Sequence, residues 1–224
     1  MPLIIILVEC GIELIPKEIR NHPSVKKNLS TQLYSSQLLD TALHHSVMSN
    51  LVNSEKRGRP DIAHLCLLNA LGSPLNKSGN LKLYMHTVND KIYMVNPEIR
   101  IARNYNRFKG LMAKLLIDDK IEINKTPLIA HINENLVNLL HTFNTDNIYL
   151  LSSKGKLIMS YQELFPSNIE ENIVTIIGGF QKGNFSNKLF EISRNIISIS
   201  QFSLDAWVVT NKIITYYELT HQIQ

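Results

Sequence analysis

Residues 173–200, IVTIIGGFQKGNFSNKLFEISRNIISIS, read as a strand, a glycine-rich loop, a helix and a second strand. Ile173–Ile177 and Ile196–Ser200 are continuous apolar runs, and Asn187–Ile192 between them has a helical pattern. Going outward, Leu136–His141 and Tyr161–Leu164 read as helical, Ile148–Ser152 as a strand, and Leu204–Leu219 as a long final helix. Apolar strands without polar alternation, separated by helices, predict an α/β fold with a parallel sheet covered on both faces. Trp207, Val208, Ile213, Ile214 and Tyr217 on the last helix read as core or subunit interface.

The loop Gly178-Gly-Phe-Gln-Lys-Gly183 leaves a strand end, where ligands collect in such sheets. Its outer glycines have phosphate-loop spacing, but Asn184-Phe185 stand where Lys-Ser/Thr is required, and the dinucleotide G-x-G-x-x-G pattern is also absent. These mismatches argue against a nucleotide-triphosphate enzyme; a plain turn and a ligand-contacting loop both remain open.

Toward the N-terminus, Lys56 to Thr87 opens on the basic corner KRGRPD. Pro60 and Asp61 suit the first turn of a helix, and Gly72 suits its end. The strand Asn80–Val88, the turn Asn89-Asp90 and the strand Lys91–Val95 read as a hairpin. Arg59 beside Asp61 reads either as a surface ion pair or as a planar fork held ready for a phosphate or base edge. RGRP is also the core of a minor-groove hook, but a helix starting at once argues against that use. Arg100, Arg103 and Arg107 are spaced to share one face if their segment is helical, with Tyr105 available to stack on a base. A second helix is expected over Ser36–Val52, carrying His44 and His45, which point about 100° apart and do not share a metal. Phe108–Ile117 is expected to be a third.

The 224 residues suit one large domain or a domain with an insertion, and 44% hydrophobic content supplies a substantial core. A net charge of +4 permits an anionic partner without demanding one. Cys10 and Cys66 lie in apolar settings and read as buried hydrophobes rather than a disulfide. Pro2–Val8 is a short apolar run without a basic start, followed by Glu9, and reads as a buried strand rather than a signal peptide. No stretch reaches the roughly 20 apolar residues that span a bilayer, so no membrane partner is expected and the location is expected to be cytoplasmic, or nucleolar if the source has a nucleus. No metal-ligand spacing and no Ser/His/Asp order is present.

LLDTALHHSVM (38–48), the whole of 56–87, VNPEIR (95–100), NYNRFKGLM (104–112), IIGGF…G (176–183) and IISIS…LDAW (196–207) together resemble the Nep1/Emg1 family of small-subunit ribosomal RNA pseudouridine N1-methyltransferases. The likeness runs in order along essentially the whole chain. It implies an α/β-knot fold of the SPOUT superfamily, with a C-terminal trefoil knot, as a single domain over 1–224 with an RNA-binding insertion around 53–107. It implies a homodimer using S-adenosylmethionine, with a role in ribosome biogenesis and a possible association with ribosomal assembly proteins. By position, Leu151, Gly178, Gly183 and the loop Ser198, Ile199, Ser200, Gln201, Phe202, Ser203 correspond to the family's cofactor contacts. Arg59, Asp61, Arg100, Arg103 and Arg107 correspond to its RNA contacts, with Asp61 orienting Arg59 and standing as a candidate proton acceptor. The alternative function is a non-catalytic RNA-binding assembly factor with the same fold.

Overall fold

In the computed structural model, residues 2–29, 37–166 and 171–224 are described. They form an eight-stranded sheet flanked by helices. The elements in chain order are β1 (Leu3–Cys10), α1 (Pro23–Lys27), α2 (Thr41–Met48), α3 (Pro60–Gly72), α4 (Pro74–Lys77), β2 (Leu81–Thr87), β3 (Ile92–Val95), α5 (Tyr105–Asp118), β4 (Lys120–Ile123) and β5 (Thr126–Ile132), then α6 (Leu136–His141), β6 (Ile148–Leu157), β7 (Ile173–Gly178), α7 (Asn187–Ile192), β8 (Asn195–Ser198) and α8 (Ala206–His221).

Across the sheet the order is β4-β5-β3-β2-β1-β7-β6-β8. The five strands from β2 to β8 are parallel, as the apolar runs predict, whereas β3, β5 and β4 join antiparallel. The sheet is thus mixed rather than wholly parallel. The antiparallel β2–β3 pair is the hairpin expected from sequence, whereas β4 and β5 escape it because β4 is largely exposed, β5 is mostly half-buried, and neither carries a continuous apolar run.

Strand β1 sits near the middle and is buried along its whole length. Leu3, Ile5 and Leu7 join the core that includes α3, α5 and α8 residues, while Ile4, Ile6 and Val8 join the core that includes α6 and α7 residues. Successive strand side chains alternate between faces, so helices on both sides demand an apolar residue at every position.

Strand β8 has an unusual setting. Ile197 pairs with Leu151 early in β6 and again with Lys156 late in β6, so the two limbs of β6 close around it. Gly155 permits this, since a Cβ there would stand 2.6 Å from the backbone N and C of Ile197.

Two helical expectations change. The helix expected over Ser36–Val52 is confined to α2, and Ser36 lies outside the described residues. Asp40 starts α2 by accepting from Ala42 N, while Leu38 belongs to an isolated bridge with Leu14. Arg100 and Arg103 precede the helix that carries Arg107. Asn104 caps that helix by accepting from Arg107 N, and buried Ile99 and Ile101 alternate with exposed Arg100 in irregular chain. The three arginines therefore do not share one helical face. Among the described residues no helix is long and apolar enough to cross a membrane.

Candidate active site

The site begins where β1 ends. Glu9, at φ 53, sits at the irregularity in β1 just before its last residue, and its carboxylate accepts from Lys56 Nζ at 2.7 Å and from Ser186 N at 3.1 Å. Glu13, only 2% exposed, accepts from Arg57 Nε at 2.7 Å and Nη2 at 2.6 Å. The backbone of the 56–59 corner rests on Gly11, where a Cβ would lie 2.8 Å from the Lys56 carbonyl and 2.9 Å from Arg59 N. Lys56 and Arg57 are consequently spent on fastening the corner to the end of β1.

Arg59 differs. Its partner is Asp61, two residues on, with Nε to Oδ1 at 2.8 Å and Nη2 to Oδ2 at 2.7 Å. The pair is more open than the other two, with side chains 24% and 33% exposed. The bonds from Asp61 raise the Arg59 guanidinium above its ordinary pKa. Because both Asp61 oxygens face the arginine, orientation is the role this geometry gives that carboxylate.

Helix α3, which starts at Pro60, carries the second part of the site. His64 stacks on Phe108 at 4.3 Å and on Tyr105 at 5.8 Å, and its Nε2 donates to the Ala102 carbonyl at 2.7 Å. This ties the segment bearing Arg103 and Arg107 to the helix that follows Arg59. Tyr105 is taken up by the fold itself: its hydroxyl donates to Asp40 Oδ2 at 3.3 Å, and Lys109 Nζ lies 4.8 Å from its ring centroid while bonding the same carboxylate at 2.7 Å. Burial first, then Asp40, pushes the Tyr105 phenol well up, so it stays protonated. Arg100, Arg103 and Arg107 are exposed, and their side chains have no hydrogen-bond or ion-pair partner among the described residues.

A cleft of about 340 Å³ opens at the C-terminal ends of β7 and β8, beside residues 151–153 in the middle of β6. This is where parallel sheets bind ligands, because the loops diverge there and leave backbone groups unpaired. Of the residues matched by resemblance to cofactor contacts, Leu151, Gly178, Gly183, Ser198, Ile199, Ser200, Phe202 and Ser203 line the cleft, while Gln201 is exposed and outside the lining. At Gly178 a Cβ would meet Phe180 at 2.8 Å and Phe185 at 3.1 Å; Gly183 has φ +106, a backbone form that favours glycine.

Arg59 and Ile62 also line this cleft, so the basic corner and the glycine loops form one site. Ser152, Ser153, Phe180, Phe185, Asp205 and Trp207 line it too and were not singled out as site residues by sequence reading. Trp207, read there as core or interface, is half-buried at the cleft. Its place at the start of α8, directly after a strand-end loop, is the signal that could have found it. His44 is buried and His45 exposed. Both cysteines are free and buried, and burial pushes the Cys66 thiol up to about 12.

A family model described as EMG1/NEP1 methyltransferase matches residues 5–218. A Staphylothermus marinus protein named ribosomal RNA small subunit methyltransferase Nep1 is 40% identical over 225 residues, covering 99% of this chain and 97% of that protein. A Saccharolobus solfataricus protein of the same name is 40% identical over 216 residues, covering 95% of each. The crystal structure of Archaeoglobus fulgidus Nep1 bound to S-adenosylhomocysteine matches with a TM-score of 0.88 and 33% identity, over 99% of this chain and all of that one. With the family model spanning nearly its full length and relatives this similar end to end, the chain belongs to the EMG1/NEP1 methyltransferase family.

Proposed function

We propose that the protein transfers a methyl group from S-adenosylmethionine to N1 of a pseudouridine in small-subunit ribosomal RNA, and thereby serves ribosome biogenesis. The observation that carries this reading is the single cleft in which Arg59 of the basic corner meets the glycine-bounded strand ends. The cofactor, when bound, supplies an electrophilic methyl on a sulfonium; the N1–C bond forms as the S–C bond breaks, and N1 gives up its proton. The residues fit such a guest. Leu151, Ile177, Ile199 and Trp207 offer apolar wall for an adenine, and Ser198, Ser200 and Ser203 offer polar groups beside it. Gly178 and Gly183 let backbone approach closely. Arg59, oriented by Asp61, with Arg100, Arg103 and Arg107 beyond it, would hold the RNA while one base is turned into the cleft.

The reading carries an architecture. The double pairing of Ile197 with Leu151 and Lys156 supports a trefoil knot in which the C-terminal segment passes the loop at the end of β6. We assign residues 1–224 to one domain, with residues around 53–107 as its RNA-facing insertion. Exposed Leu65 on α3, beside half-buried Leu68, supports a homodimer through that surface. Light scattering tests it, and a monomer at working concentrations would contradict it.

The decisive experiment uses labelled S-adenosylmethionine with two RNA hairpins, one containing pseudouridine and one uridine. Label is expected only in the first. Tight RNA binding without transfer to either would instead leave the chain as an RNA-binding assembly factor.

A further inference from the structure

Arg59, Gln181 and Lys182 have cavities on both sides. One is the cleft at the strand ends; the other is a groove of about 580 Å³ whose remaining lining is Thr41, Ala42, His45 and Glu55. The groove is built from three parts of the chain that are fastened together. Thr41 bonds the Gly58 carbonyl through its backbone N at 2.7 Å and its hydroxyl at 2.8 Å. Gly58, at φ +66, has no room for a side chain, since a Cβ would stand 2.8 Å from Thr41 Oγ1. Lys182 N donates to the Glu55 carbonyl at 3.4 Å. The start of α2, the 54–56 turn and the loop after β7 thus hold one another.

Four of the groove's polar side chains are uncommitted, while Thr41 is bonded to Gly58 and Arg59 to Asp61. Among the described residues the side chains of His45, Glu55, Gln181 and Lys182 have no hydrogen-bond or ion-pair partner. An ammonium and a guanidinium suit a phosphodiester. A carboxylate and an amide beside them suit a ribose hydroxyl, the group that distinguishes RNA from DNA. Apolar wall is scarce, which argues against a greasy guest.

We infer that this groove seats the ribose-phosphate of the nucleotide next to the one being methylated, with Lys182 on its phosphate and Glu55 on its 2′-hydroxyl. The inference rests on the function proposed above. A base held in the cleft is bonded to a backbone that must leave past the shared wall of Arg59, Gln181 and Lys182. That exit opens into the groove. Arg100, Arg103 and Arg107 line neither cavity and are left for more distant phosphates.

The test compares Lys182→Ala and Glu55→Ala with the wild-type protein, measuring RNA affinity against salt and S-adenosylhomocysteine affinity by calorimetry. Lys182 is exposed, so the variant is expected to fold as wild type does. Lys182→Ala should weaken RNA binding about tenfold and reduce the salt slope by about 0.7, with cofactor affinity unchanged. A single 2′-deoxy substitution next to the target should weaken binding to the wild-type protein but not to Glu55→Ala, which has no side-chain acceptor left for the hydroxyl. Unchanged affinity and slope in Lys182→Ala, loss of its cofactor affinity instead, or an equal deoxy effect in both proteins would each overturn the inference. Failure of the wild-type protein to methylate any RNA would overturn the functional reading instead, so the two failures are separable.

Discussion

Arg59 grips Asp61 through two parallel bonds and keeps its Nη1 without a partner among the described residues. The fork is fixed in direction yet still has donors to give. Asp61→Ala should therefore cost little stability, under about 1 kcal/mol for a pair this open, while RNA affinity falls and cofactor affinity holds. Arg59→Lys should fail to restore RNA binding, because an ammonium cannot reproduce the planar fork. Chemical denaturation beside RNA titration separates the two effects.

The neighbouring pair obeys the opposite logic. Glu13 is nearly inaccessible and holds Arg57 bidentately. Glu13→Ala strands a largely buried guanidinium, which should destabilise the protein by about 3 kcal/mol. The denaturation midpoint would show it, and a shift within error would mean that Arg57 finds other partners.

Two glycines should respond in opposite ways to the same substitution. Gly155→Ala puts a methyl into the Ile197 backbone, so cofactor binding and the thermal midpoint should both fall. Gly110, inside α5 with nothing near its would-be Cβ, should give a variant about 0.5–1 kcal/mol more stable as Ala.

Acid should loosen the fold before the carboxylates titrate. Burial lowers the pKa of His44 and of His86 below the ordinary histidine value, despite the pull of Asp40 and Asp90. The unfolded chain then takes up protons near pH 6.5 that the folded chain refuses, so stability is full above that pH and declines as pH falls through it. His44→Gln should flatten part of this decline in melting curves taken from pH 7.5 to 5. An unchanged slope would remove His44 as a contributor.

The parallel half of the sheet was legible because doubly covered strands are apolar at nearly every position, as Leu3–Val8 of β1 and, but for Thr175, Ile173–Ile177 of β7 show. The β4–β5 wing was not, since Lys120–Ile123 is mostly solvated, Thr126–Ile132 is mostly half-buried, and neither carries a comparable signal. The spacing of Arg100, Arg103 and Arg107 suggested a helix, but Asn104 starts α5 only after the first two. In the site, glycine positions and the Arg59–Asp61 pair could be read locally. The meeting of Arg59 with Gly178 and Trp207 in one cleft could not, because it depends on the ends of β7 and β8 and the middle of β6 converging with the start of α3.

The closure of β6 around Ile197 also ties the C-terminal part of the chain to the cleft. Ile197 meets β6 on both sides of residues 152–155, so β8 and the two parts of β6 fix one another. Ser198 and the loop behind it complete the cleft wall. The Lys56–Glu9 and Arg57–Glu13 ties lie within residues 9–57, but Glu9 also accepts from Ser186 N and the Glu55 carbonyl from Lys182 N. The basic corner and the chamber for a methyl donor are thus closed by the same C-terminal stretch, and neither is complete without it.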